Sequence, residues 1–234
     1  MTKTTLLAAA LSVGFAAHAP AAFAAAPHAF TAQYQVLQGG SPLGEATVTL
    51  KPAGNGQFAF STASKGTAGL AAMVAANTNE VSTFRWTGTG PESVSYDYRL
   101  DASIKTKERH LKVDWTSKQA TVDDGKKNYT FAAVPGMVER NLASLALGLA
   151  LQSGKQEVTL PVAVKSNVEN QQYKVTGKEK VQVPAGNFDT VKMARTDADR
   201  GLTAWYAPSK YAVPVKMTQG DQDLTLMLVS YRAQ

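Results

Sequence analysis

The sequence predicts a mostly β protein: a single antiparallel, strongly curled sheet, or a partly open β-barrel, clasping one apolar α-helix at about residues 136–152. Three observations carry this. Apolar side chains recur at every second position along much of the chain from Phe30 onward. Chemically explicit turns punctuate those runs, and one long stretch changes to helical spacing.

Taken in order, Phe30, Ala32, Tyr34 and Val36 alternate with polar neighbours, Gly39-Gly40-Ser41-Pro42 supplies a turn, and Ala46, Val48 and Leu50 resume the alternation. This is a β-hairpin that opens the fold. The same period recurs at Val94, Tyr96 and Tyr98, from Arg109 to Trp115, and at Tyr129 and Phe131. It returns from Val158 to Val164, at Tyr173 and Val175, in the strand from Leu202 to Tyr206, and from Leu224 to Tyr231. Between these runs, Asp123-Asp124-Gly125, Pro184-Ala185-Gly186-Asn187 and Gly220-Asp221 offer residues that fix a turn or tolerate positive φ. Many short strands joined by tight turns indicate a sheet that curls or closes.

Two stretches break the pattern. Pro135 suits a first helical turn, Glu139 lies near the N-terminus, Leu142, Leu145, Ala146 and Leu149 follow at helical spacing, and Gly154 ends the run. Leu147 and Leu151 lie off that stripe, so the helix is apolar over much of its circumference and needs sheet around it. Residues 66–76 are small, apolar and uncharged. They read as a short helix or as a loop plugging the mouth of a barrel.

The first residues are a different kind of segment. Lys3 precedes an uncharged run through Leu6, Leu11, Val13 and Phe15, and Ala22-Phe23-Ala24 places small side chains where a signal peptidase accepts them. Residues 1–24 are therefore expected to be a cleavable signal peptide, with 25–234 a single β-rich periplasmic domain. The apolar run is shorter than the roughly 20 residues of a bilayer span, and Pro20 interrupts it. After cleavage the chain is not expected to span a membrane.

The formal charge of +6 falls by one when Lys3 leaves, and the remaining cations are scattered. Export removes nucleic acid as a natural partner, so the basic balance reads as a solvated surface kept soluble by Lys and Arg or, functionally, as attraction to lipid or envelope glycan. The absence of cysteine excludes disulfides, a lipidated N-terminal thiol and thiolate metal sites. Histidine is limited to His18, His28 and His110. His110 shares strand parity with Glu108, Lys112 and Asp114, which places it on the polar face, and no nucleophile-elbow pattern stands to pair with it. Asp197-Ala198-Asp199 has the spacing of the first two ligands of a calcium loop, but the glycine and terminal glutamate do not follow. It reads as a polar turn. No metal, no cofactor and no catalytic residue is expected.

Three stretches carry a resemblance. They are Tyr34-Gln35-Val36 with Gly44-Glu45-Ala46-Thr47-Val48, then Val183-Pro184-Ala185-Gly186-Asn187-Phe188 with Lys192 and Arg195, then Ala204-Trp205-Tyr206-Ala207-Pro208 leading to Val213-Pro214-Val215-Lys216. In this order the chain resembles the exported Gram-negative family called domain of unknown function 3108. The resemblance implies a periplasmic or envelope-associated β-rich domain and transfers no catalytic residue. By fold-level analogy the chain is similar to periplasmic lipoprotein carriers, whose curled sheets wrap a helix and hold acyl chains, although a fold does not determine a function.

The leading functional expectation is a periplasmic, non-enzymatic binding or envelope-maintenance protein holding an apolar or amphipathic ligand between sheet and helix. Candidate ligand-binding residues are Leu142, Leu145 and Leu149 on the helix, Leu70 and Met73 in a lid formed by residues 66–76, and the groove-forming aromatics Trp86 and Trp205. A glycan-active enzyme or polysaccharide-export accessory protein is the alternative, marked by two convergent carboxylates in an aromatic groove. The third reading is a scaffold that binds a partner along a sheet edge.

Overall fold

The computed structural model describes residues 26–198, 201–220 and 223–234. The expected signal segment, Asp199 and Asp221 lie outside these. The chain runs as β1 (Phe30–Gln38), β2 (Ser41–Gly54), β3 (Gln57–Gly66), α1 (Gly69–Met73), β4 (Asn77–Trp86), β5 (Pro91–Ala102), β6 (Lys105–Asp114), β7 (Gln119–Asp123) and β8 (Asn128–Ala132). It continues as β9 (Val138–Glu139), α2 (Arg140–Gln152), β10 (Glu157–Ala163), β11 (Val168–Val183), β12 (Gly186–Arg195), β13 (Leu202–Tyr206), β14 (Lys216–Gln219) and β15 (Leu224–Ala233).

All strands join one sheet in the order β8-β7-β6-β5-β4-β3-β2-β1-β15-β14-β13-β12-β11-β10-β9. Two meanders, β1 to β8 and β10 to β15, meet where β1 pairs antiparallel with β15. The exception to the antiparallel pattern is β9 with β10, which run parallel because α2 is the crossover between them. The sheet is not closed. Its two edges, β8 and β9, are nonetheless neighbours in sequence, and the link between them docks back on the sheet. Ser93 donates its backbone N–H to the Met137 carbonyl at 2.9 Å, and Gly136 donates to Glu92 Oε1 at 2.7 Å.

Local chemistry accounts for the turns. Gly39 and Gly40 have φ of 55° and 80° between the paired residues Gln38 and Ser41. Two successive positive-φ residues make the hairpin turn whose twist matches that of strands. At Asp123-Asp124-Gly125, Asp123 Oδ1 accepts from Gly125 N at 2.8 Å and Asp124 Oδ1 accepts from Lys127 N at 2.9 Å.

The main core combines Phe30, Leu50, Phe60 and Phe84 from the first meander with Val181, Met193, Tyr206 and Leu228 from the second, and with the leucines of α2. A smaller cluster under β5 to β8 holds Tyr96, Leu111 and Val122 with Met137 and Ala163. Helix α2 buries eight of its 13 residues. It packs so closely that the backbone carbonyl of Ala212 lies 1.8 Å from where a Cβ on Gly148 would stand. Its start differs from the expectation at about 136: Pro135 precedes a turn and β9, and Glu139 is the N-cap, accepting from Asn141 N at 2.8 Å and Leu142 N at 3.2 Å. A second helix, α1, stands where the uncharged stretch left helix or loop open, so the described residues hold two helices and not one. The period-two reading also marks no strand at β3, β4, β7, β9, β12 or β14. The first two carry threonine, serine and glutamate on the inward face, which breaks the apolar alternation.

Candidate functional site

The inward face of the sheet and the first turns of α2 border a cleft of about 630 Å³. Its apolar wall includes Val48, Phe60, Leu111, Val122, Leu224 and Leu226, and α2 presents Arg140, Asn141, Ala143 and Ser144. Strand parity explains the rest. In β3 and β4, Phe60 pairs with Ser82, Thr62 with Glu80 and Ser64 with Thr78. The row then continues across β5 and β6, where Glu80 pairs with Tyr98 and Tyr98 with Arg109.

The polar side chains at this end are tied to the helix. Asn141 Nδ2 donates to Ser82 Oγ at 2.8 Å and to the Phe60 carbonyl at 3.2 Å, while Thr62 Oγ1 donates to Asn141 Oδ1 at 2.7 Å. Arg140 engages Glu80 through Nη2 at 2.9 Å and Nε at 3.1 Å, and its guanidinium lies 4.7 Å from the centre of the Tyr98 ring. Tyr96 donates its hydroxyl to Glu80 Oε2 at 2.5 Å. Burial, then the Glu80 charge, raises the Tyr96 pKa far above its usual range. Glu139 is 2% exposed, and burial pushes its carboxyl up to about 7 against the hydrogen bonds that favour its charged form. At the other end, Arg195 is held by Asp197 at 2.9 Å and 3.0 Å beside Gln171 and Tyr173.

Arg109 is different. Its Nε is buried with no hydrogen-bond partner, and it makes no ion pair among the described residues. Lys107, on the same face two residues along β6, has its pKa lowered by burial first and then by the charges of Arg109, Lys105 and Arg140.

None of the seven residues singled out from sequence lines this cleft. Leu142, Leu145 and Leu149 come together in the main core, at 0%, 0% and 9% exposure. Trp205 is buried away from the cleft, donating Nε1 to Glu179 Oε1 at 2.6 Å, with Lys216 4.7 Å and Lys192 5.2 Å from its ring. Trp86 is half-buried against the main core. Leu70 and Met73 on α1 are 76% and 79% exposed. Sequence reasoning missed Glu80, Arg109, Arg140 and Asn141, although the shared parity of Lys107, Arg109 and Leu111 was a usable signal. His110 stands on the opposite, exposed face, with Nδ1 2.6 Å from Asp97 Oδ1. Among the described residues no group of three or more His, Asp or Glu could hold a metal ion, and no helix is long and apolar enough to cross a membrane.

The sequence model of the family described as Protein of unknown function (DUF3108) matches residues 30–229, nearly the whole of the described sheet. The chain belongs to this family. Among solved structures, it is similar to a β-barrel-like protein of domain of unknown function DUF1849 from Brucella abortus, at 11% identity and a TM-score of 0.50. That alignment covers 88% of this chain and 98% of the other. At so low an identity the likeness shows the fold alone, which in this DUF3108 chain is an open, barrel-like sheet. A candidate lipoprotein from Parabacteroides distasonis aligns at 10% identity over 88% of this chain and 96% of its own, with a TM-score of 0.29, too loose to bear on the fold. No curated protein matches the chain.

Proposed function

We propose that this DUF3108 protein is an exported, non-enzymatic binding protein of the periplasm, which clasps α2 in its curled sheet and holds an amphipathic, lipid-like ligand in the cleft beside it. The cleft carries this reading. Its volume of about 630 Å³ is that of a small-molecule site, and it is walled by aliphatic and aromatic side chains with a cluster of polar groups beside the start of α2. The ligand site is thus bordered by the start of α2 and not by its leucines, which are core.

A glycan-active enzyme has one observation in its favour: Glu80 and Glu139 border the same cleft as Tyr96 and Tyr98. Both carboxylates already have structural tasks, since Glu80 accepts from Arg140 and Tyr96 while Glu139 caps α2. A pair for glycoside hydrolysis needs one acid and one base free to reach the sugar. The binding reading is therefore preferred. Native mass spectrometry of the chain purified from periplasm tests it, with a co-purifying adduct of lipid mass released by organic solvent as the expected result. A bare protein, together with turnover of an acidic glycan that is lost in Glu80→Gln, would reverse the preference.

A further inference from the structure

The polar end of the cleft is built for a negative charge. Of the three arginines that border the cleft, Arg140 is neutralised by Glu80 and Arg195, at the far end, by Asp197. Arg109 has no carboxylate, and its Nε is buried without any acceptor. Burying a guanidinium N–H without an acceptor is costly, and a native structure retains such a group where something else supplies the acceptor. The carboxylates nearby are committed elsewhere: Glu108 of the same strand points to the opposite face and pairs with Arg99 at 2.5 Å, and Asp124 is held by Lys165 at 2.5 Å. Lys107, two residues along β6 on the same side of the strand, is exposed and close enough to Arg109 and Arg140 for their charges to lower its pKa.

Placement and chemistry agree. Arg109 lies opposite Tyr98 in register, and Arg140 stacks over the Tyr98 ring, so both arginines belong to the same part of the cleft wall. Leu111 and Val122, next along the face, begin the apolar wall. A ligand with an anionic oxygen group at Arg109 would run its hydrocarbon part along those side chains. A guanidinium and an oxyanion meet in short, charge-assisted hydrogen bonds that a neutral hydroxyl does not equal.

We infer that Arg109, seconded by Lys107, is the head-group site of the cleft, and that the ligand is an amphiphile whose head is an acidic oxygen group, a carboxylate or a phosphate. This deepens the binding reading and rests on it. The test displaces a neutral fluorophore, N-phenylnaphthylamine, from delipidated mature protein with dodecanoate, dodecyl phosphate, dodecanol, dodecylammonium and inorganic phosphate. Dodecanoate or dodecyl phosphate should bind about tenfold tighter than dodecanol. Their order assigns the head as carboxylate or phosphate. Inorganic phosphate should displace nothing, since the tail supplies the affinity. In Arg109→Met the preference for the acids over dodecanol should disappear, and Arg109→Lys should recover part of it. Equal binding of acid, alcohol and ammonium overturns the head-group assignment and leaves the cleft a binding site. Failure of every chain compound to displace the fluorophore overturns both. If Arg109→Met does not fold, loss of the acid preference on Lys107→Met or at raised salt decides in its place, and an unchanged preference in both counts against the assignment.

Discussion

Replacing Gly148 by alanine sets two magnitudes against each other. In a helix interior, alanine is about 1 kcal/mol more favourable than glycine, so helix propensity alone predicts a more stable protein. Gly148 lies in the third turn of α2, away from either cap, where that gain would apply in full. The structure predicts the opposite sign. A Cβ there would stand 1.8 Å from the Ala212 carbonyl oxygen and 3.1 Å from Tyr206 Cε1. Relief requires the Ala212 backbone to retreat by more than an ångström, and its neighbours are tied down. Pro214 O accepts from the buried Tyr34 hydroxyl at 2.8 Å, Val215 N donates to Trp205 O at 2.8 Å, and Tyr211 N donates to Ala207 O at 3.0 Å. Overpacking a rigid site costs typically 1–3 kcal/mol and at the upper end exceeds the propensity gain. We expect a net loss of about 2 kcal/mol. In a chain of this size that lowers Tm by roughly 4–8 °C, with the urea m-value unchanged. Circular dichroism melts and urea titrations of the two proteins measure both. A Tm raised by a few degrees would refute the close approach of α2 to the 207–215 segment and with it the helix packing that borders the cleft.

Two further substitutions probe the polar end. Folding raises the Glu139 carboxyl from the usual 4.5 to about 7, so between those values the native chain holds a proton that the unfolded chain has lost. The stability this group confers is complete below pH 4.5 and is lost as pH rises to about 7. At 1.36 kcal/mol per pKa unit, the loss is on the order of 3 kcal/mol. Glu139→Gln should remove this decline, so that urea denaturation of the variant and the parent diverges across pH 4.5–7 in the variant's favour; parallel profiles would contradict the shift. Asn141→Ala should cost about 1–3 kcal/mol by chemical denaturation, because it strands Ser82, which is 0% exposed, without its donor. A change below about 0.5 kcal/mol would show that the bonds from α2 to β3 and β4 contribute little.

The sheet was largely legible from the chain because its most apolar strands alternate cleanly. In β1, Phe30, Ala32 and Tyr34 are buried while their neighbours face out, and β7 shows the same period at Ala120 and Val122 on a scale too short to stand out. Strands β3 and β4 were illegible for a physical reason. Their inward positions Thr62, Thr78, Glu80 and Ser82 serve the helix N-terminus and the cleft, so polarity and inward direction coincide there. The helix was visible as a block of leucines, but that same apolar character drew the candidate site toward Leu142, Leu145 and Leu149, which pack in the core. A cleft is defined by what adjacent strands place opposite one another. The row Glu80, Tyr98 and Arg109 spans three strands and has no counterpart in local sequence. Trp205 illustrates the same limit: its neighbours Lys192, Lys216 and Glu179 come from three other strands, and together they make it a buried anchor.

The central claim is that the cleft between α2 and the sheet is a ligand site, and fluorescence titration of delipidated protein with N-phenylnaphthylamine tests it most directly. Met217 borders the cleft and is only partly buried, so Met217→Trp should fill it while leaving the fold intact by circular dichroism. The account predicts saturable binding of one fluorophore per chain, abolished in Met217→Trp. Absence of saturable binding, or binding unchanged when the cleft is filled, would contradict it.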